Sequence, residues 1–194
     1  MQSKSVLHNP TMLNNAERVE IRLAGEGGQG MILAGIILAE AAAIYDDKHV
    51  TQTQSYGPEA RGGASKAEVV IGTSELDYPE VLNADALVAL SQEACDKYAQ
   101  NLKKGGILIV DEEKVSRVPV SSAIKAPITR LALEVTGKAI TANVVALGVL
   151  VGLTEVVSRQ AIEKAVLARA PKGTEEMNKA ALDAGLEFAK KIKE

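Results

Sequence analysis

The stretch from Val19 to Asp47 constrains the fold more than any other. VEIRLA (Val19–Ala24) alternates enough for a short strand, GEGGQG (Gly25–Gly30) follows it, and MILAGIILAEAAAIYDD is apolar and alanine-rich enough to be a helix. A strand, a glycine turn and a helix in immediate succession form the opening unit of an α/β sheet. Gly25, Gly27 and Gly30 satisfy G-x-G-x-x-G in the strand-to-helix context that lifts this weak motif above chance. One such glycine permits a tight turn, one lets a ligand approach the backbone, and one allows close helix–strand packing. Amides at the start of the helix would favour an anionic group such as a phosphate. Chain reversal and helix packing alone would also explain the three glycines.

The remaining chain repeats the alternation. Strands are expected at HVTQT near His49, KAEVVIG, ADALVAL and ILIVD (107–111), with one more between Val115 and Lys125. A helix is expected from Ser91, as N-cap, to Lys103, with Lys103-Lys104-Gly105-Gly106 as its cationic, glycine-rich end. PITRLALEVTG, TANVVALGVLVGL, SRQAIEKAVLARA after Ser158 and TEEMNKAALDAGLEFAKKIKE read as further helices. Strands alternating with helices predict a three-layer α/β/α fold with a mostly parallel, Rossmann-like sheet. A single domain is expected over 19–194, behind a flexible polar tail over 1–18. Asp111 is expected at the carboxyl end of its strand, where it serves either a ligand crevice or a turn.

Composition removes several function classes. A net charge of −3 and a pI near 5.6 leave no basic face for nucleic acid. The longest apolar stretches, Met31–Ala39 and Val144–Leu153, fall short of the roughly 20 residues that span a membrane. The N-terminus lacks the apolar run of a signal peptide. With one cysteine, Cys95, and two separated histidines, His8 and His49, the chain is not expected to hold a disulfide, an iron–sulfur cluster or a metal ion. The cytoplasm is the expected compartment.

A dinucleotide fold would add an acid at the end of the second strand to hold the ribose hydroxyls. That strand reads Thr51-Gln52-Thr53-Gln54, and the nearest acids, Asp46 and Asp47, precede it. An independent NAD- or FAD-binding enzyme is therefore the weaker reading. The loop after the strand, Ser55-Tyr56-Gly57-Pro58-Glu59-Ala60-Arg61-Gly62-Gly63, gathers a hydroxyl, a phenol, a carboxylate and a guanidinium among glycines. Arg61 suits a bidentate contact to a phosphate or carboxylate, and equally an ion pair with Glu59 or a partner subunit. Because both loops follow strands, they are expected to meet at one sheet edge.

GEGGQG followed by SYGPEARGG resembles the gamma subunit of the 2-oxoacid:ferredoxin (or acceptor) oxidoreductases. The similarity runs from about Glu20 to the C-terminus through DYPEVLNADALVALSQEACDKY, LKKGGILIVD, PITRLALEVTG, ANVVALG and MNKAALDAG. SYGPEARGG followed by YPEVLNADALVALSQEA looks most like the 2-oxoglutarate branch. Pyruvate-branch chains differ in this loop, and indolepyruvate-branch chains usually have His-Gly where this one has Tyr56-Gly57. A pyruvate or branched-chain 2-oxoacid branch is the alternative within the family. Such enzymes decarboxylate a 2-oxoacid on thiamine diphosphate, pass electrons through iron–sulfur clusters to ferredoxin or another acceptor, and transfer the acyl group to coenzyme A. This chain carries neither the thiamine diphosphate motif nor a cysteine set. The resemblance therefore implies that those cofactors lie in alpha and beta subunits, with a ferredoxin-like delta subunit as a further candidate partner, and that the isolated chain is inactive. It implies for Gly25, Gly27, Gly28, Gln29, Gly30, Ser55, Tyr56, Gly57, Glu59, Arg61, Gly62 and Gly63 a share in a coenzyme A site or a subunit interface. Asn143 is a third contributor or a helix cap, and no residue is assigned as a catalytic acid or base.

Overall fold

The computed structural model describes residues 13–14, 16–56 and 63–194. Among the described residues six strands form one sheet: β1 (Arg18–Glu26), β2 (His49–Ser55), β3 (Ala64–Gly72), β4 (Ala84–Ala89), β5 (Leu102–Asp111) and β6 (Ile124–Ala126). Their order across the sheet is β2-β3-β1-β4-β5-β6. β1, β4, β5 and β6 pair in parallel, while β3 pairs antiparallel with both β1 and β2. Only β3 is therefore reversed, and the sheet is mostly parallel as expected. The exception has a simple cause: only the eight residues 56–63 join β2 to β3, and a parallel pairing would need a crossover of roughly a dozen or more.

Among the described residues six α-helices flank the sheet: α1 (Met31–Glu40), α2 (Gln92–Tyr98), α3 (Ile128–Thr136), α4 (Ala142–Thr154), α5 (Arg159–Arg169) and α6 (Glu175–Lys193). They are distributed unevenly. Ile21, Leu23, Val69, Ile71, Val88 and Ile109 point to one face and join a core with α1, α3, α4, α5 and α6. The opposite face packs Leu87, Ala89, Leu108 and Val110 against Ala94, Cys95 and Ala99 around the short α2. All of α4 except Gly152 is buried, so this apolar helix lies in the core and not on an exposed interface. Its flank accepts α6 at very short range, because a Cβ on Gly185 would stand 2.2 Å from the Val145 carbonyl oxygen.

Several boundaries depart from expectation, among them the strand expected between Val115 and Lys125, which forms only at its end as β6. Helix α2 has Ser91 as its N-cap, the hydroxyl accepting from Ala94 N–H, but it ends at Tyr98 and passes through a single 3-10 turn into β5 at Leu102. Lys103-Lys104-Gly105-Gly106 thus belongs to a strand. The β4–β5 register jumps there from Ala84 opposite Leu102 to Ala86 opposite Ile107, and Gly105 takes φ +82°. The glycines serve an irregular strand entry, held by Lys103 Nζ at 2.9 Å from Asp85 Oδ2, rather than a helix end. At the other end of the chain, Leu13 lies inside the stretch expected to be a tail. It is nonetheless buried, and its N–H donates to the Thr154 carbonyl.

Cys95 is buried on α2, and that burial, with the Asp96 charge, pushes its thiol pKa upward. The thiolate is the reactive form. Alkylation by iodoacetamide at pH 8 should accordingly be slow on the native chain and should follow the unfolding curve seen by circular dichroism across a urea series. Rapid native-state labelling would contradict this packing.

Candidate functional site

The topology brings the carboxyl ends of β1, β2, β4, β5 and β6, and the start of β3, to one edge of the sheet. The glycine turn leaves from Glu26 and the second loop leaves from Ser55 and returns at Gly63, so both expected loops share this edge. The missing dinucleotide acid has a geometric counterpart. With β3 between them, β1 and β2 lie about 10 Å apart, twice the spacing of adjacent strands. An acid at the end of β2 would stand far from the glycine turn.

Within the turn each residue has a separate role. Gln29 folds back on the chain: its Oε1 accepts the Glu26 N–H at 2.7 Å and its Nε2 donates to the Leu90 carbonyl at 3.0 Å. It clamps the turn to the end of β4. Gly25 makes room for that clamp, since a Cβ there would lie 2.5 Å from Gln29 Oε1. Gly30 has φ +74°, a left-handed conformation in which side chains are strained, and a Cβ would meet Asn143 Nδ2 at 2.6 Å. Gly28 has φ +93° with open space around it. Gly27 lies outside the left-handed region, and nothing stands within 4 Å of the Cβ it lacks.

Asn143 reaches this turn from the second residue of α4. Its Nδ2 donates to the Gly30 carbonyl at 3.2 Å, and its Oδ1 accepts the Val144 N–H at 2.9 Å. The cap position belongs to Thr141, which makes no side-chain cap bond, so Asn143 is a tie between α4 and the turn rather than an N-cap. Helix α1 begins at Gly30 without a side-chain cap and without an acid in its first turn. Its first amides are an electropositive surface beside the open Gly27-Gly28 segment.

The second loop is described at its two ends. Ser55 and Tyr56 are exposed, Tyr56 by 70%, and Ser55 Oγ donates to the Tyr56 carbonyl at 3.3 Å. Gly63 has φ +85° where the chain turns into β3. Gly57, Glu59, Arg61 and Gly62 lie outside the described residues. Ser65 Oγ donates to the Gly25 carbonyl at 3.1 Å and joins the two loops at their base. The sequence held no motif for Ser65; only its position just past the loop marked it.

Asp111 is fully buried at the end of β5 and serves the turn alternative. Its carboxylate accepts the Glu113 N–H at 3.2 Å, the Thr129 N–H at 3.1 Å and the Thr129 hydroxyl, which fastens the start of α3. Among the described residues, no three His, Cys, Asp or Glu side chains gather to hold a metal ion, and no helix is long and apolar enough to cross a membrane.

The sequence pattern of the family described as pyruvate ferredoxin/flavodoxin oxidoreductase matches residues 20–188. The 2-oxoglutarate synthase subunit KorC of Methanocaldococcus jannaschii is 54% identical over 179 residues, covering 90% of this chain and 96% of that protein. The pyruvate/ketoisovalerate oxidoreductases common subunit gamma of Thermococcus litoralis is 32% identical over 158 residues, covering 76% and 84%. A solved keto/oxoacid ferredoxin oxidoreductase gamma subunit from Geobacter sulfurreducens matches with TM-score 0.83 and 50% identity over 92% of this chain and 100% of that one. A 2-oxoglutarate:ferredoxin oxidoreductase from Magnetococcus marinus matches with TM-score 0.80 over 91% of this chain and 32% of that one, and at 24% identity it shows the fold alone. The chain belongs to the pyruvate ferredoxin/flavodoxin oxidoreductase family, as a gamma-type subunit of a 2-oxoacid:ferredoxin oxidoreductase most similar to the 2-oxoglutarate branch.

Proposed function

We propose that this chain supplies part of the coenzyme A site of an assembled 2-oxoglutarate:ferredoxin oxidoreductase. Alpha and beta partner subunits, with a ferredoxin-like subunit where one is present, hold the thiamine diphosphate and iron–sulfur clusters. Gly27 carries the reading. Packing explains Gly25, and backbone conformation explains Gly28 and Gly30, whereas neither explains why position 27 lacks a side chain. A ligand passing over the turn would explain it, because only glycine leaves the backbone open to close approach. The uncapped start of α1 suits the phosphate groups of such a ligand. The Magnetococcus marinus enzyme of the same fold was solved with 2-oxoglutarate, coenzyme A and succinyl-CoA bound, which is consistent with this assignment. Coenzyme A supplies the thiol that accepts the acyl group; the chain's own contribution is to bind and orient it.

Gly27→Ala tests the reading. The isolated chain should keep its stability within about 0.5 kcal/mol, as expected for an exposed site with free space. In the assembled complex the KM for coenzyme A should rise about tenfold, corresponding to about 1.4 kcal/mol of lost binding. An unchanged KM would remove the assignment.

A second reading, that a partner subunit covers these loops, is favoured by the apolar surface left open. Tyr56 lies at the same edge, and Ile140, 59% exposed, lies three residues before Asn143. Under that reading Arg61→Ala weakens assembly and leaves coenzyme A kinetics of the complex unaltered.

A further inference from the structure

Helix α2 holds the start of β3 by its backbone. Ala64, the first residue of β3, is buried, and both of its main-chain polar groups are taken by side chains of α2. Its N–H donates to Glu93 Oε1 at 3.1 Å, and its carbonyl accepts the Tyr98 hydroxyl at 3.2 Å. The next residue, Ser65, is the one whose hydroxyl reaches Gly25. Two successive residues therefore tie the point where the loop re-enters the sheet to α2 and to the base of the glycine turn. Docking of α2 does not itself need these contacts, because Ala94, Cys95 and Ala99 supply its buried apolar side. Glu93 is exposed on the helix and still reaches Ala64.

The Tyr98 ring is held in place by charge. Arg22 Cζ stands 5.5 Å, Lys66 Nζ 5.8 Å and Lys97 Nζ 5.4 Å from its centroid, each within cation–π range. Arg22 and Lys66 are in turn fixed by Glu68, at 2.7 Å from Arg22 Nε and from Lys66 Nζ. The hydroxyl is thus aimed at Ala64 by a ring flanked by cations that Glu68 pairs in turn, which suits a group that positions a backbone.

We propose that Glu93 and Tyr98 are positioning residues that fix Ala64, where the chain enters β3, and so hold Ser65 against the base of the glycine turn. The identity of the ligand rests on the coenzyme A reading; the positioning role does not. Tyr98→Phe keeps the ring and its cations and removes only the hydroxyl. Glu93→Ala removes the acceptor, and Glu93→Gln restores an acceptor oxygen. Hydrogen–deuterium exchange on the full chain should rise about tenfold in peptides spanning 55–68 for Tyr98→Phe and Glu93→Ala, the loss of about one net hydrogen bond, with α4 and α6 peptides unchanged. Glu93→Gln should stay near the native level. In the complex reassembled with partner subunits, both disruptive variants should raise the KM for coenzyme A about five- to tenfold at constant kcat. Unchanged exchange over 55–68 overturns the proposal, as does loosened exchange with every kinetic and assembly parameter at its native value. Loosened exchange with weakened subunit affinity or a raised 2-oxoacid KM, at constant coenzyme A KM, supports positioning and overturns the coenzyme A reading instead.

Discussion

Replacing Glu68 with alanine should destabilise the chain by about 3–5 kcal/mol and lower its Tm by on the order of 10 °C in calorimetry. The carboxylate lies 7% exposed on β3, and its Oε1 is 2.6 Å from Nη2 of Arg22 and 2.7 Å from Nζ of Lys66. Arg22 is only 3% exposed, and beyond Glu68 it has the Val81 carbonyl at 3.2 Å and the face of Tyr98. Its Nη1 is buried without a hydrogen-bond partner among the described residues. Truncating Glu68 would leave this guanidinium buried beside Lys66, itself a cation, with no ion-pair partner among the described residues. Because the penalty comes from an orphaned charge, removing both partners should recover most of it. The Arg22→Met, Glu68→Leu double variant is therefore expected within about 1–2 kcal/mol of the native chain. A single variant that costs as little as the double would show that the pair is solvated and the charge tolerated.

Gly185→Val should cost about 3 kcal/mol or more, the upper end for overpacking a close-packed contact. The missing Cβ would lie 2.2 Å from the Val145 oxygen, 2.8 Å from the Val149 nitrogen and 2.9 Å from the Gly148 Cα. All three obstacles are backbone, so no rotamer change relieves them, and α4 and α6 must separate. Gly185→Ala fixes the sign. Helix propensity alone would make it stabilising by about 1 kcal/mol, whereas the backbone clash makes it destabilising by about 2 kcal/mol. Urea melts of the isolated chain decide between them. The effect should also reach the site, because α4 carries Asn143 to Gly30 and a displaced α4 withdraws that bond.

The strand–turn–helix unit, the strands and the long helices were legible because each combines a hydrophobic run of the right length with its own punctuation. Ser91 announced its helix and does cap it, and Ser158 caps the helix expected after it. What sequence could not separate were roles that share a residue type. Lys103-Lys104-Gly105-Gly106 has the composition of a helix end and also of an irregular strand entry, and only the register with β4 decides between them. Gln29 looked like one more turn residue; its clamp on Leu90 depends on a strand that arrives sixty-one positions later. Asn143 read equally as cap or contributor, since a cap is set by local geometry whereas its bond to Gly30 spans 113 positions. Glu93 and Tyr98 carried no motif at all, because their partners are the main-chain groups of an alanine.

The single reversed strand has a consequence for how such a chain can diversify. Since β3 runs against its neighbours, the Ser55–Gly63 segment starts and finishes at the same rim, between two strands paired with each other from Ser55 opposite Lys66 to His49 opposite Gly72. With Ala64 and Ser65 as the footing, the strand order lets the length of this connection change without rerouting any other.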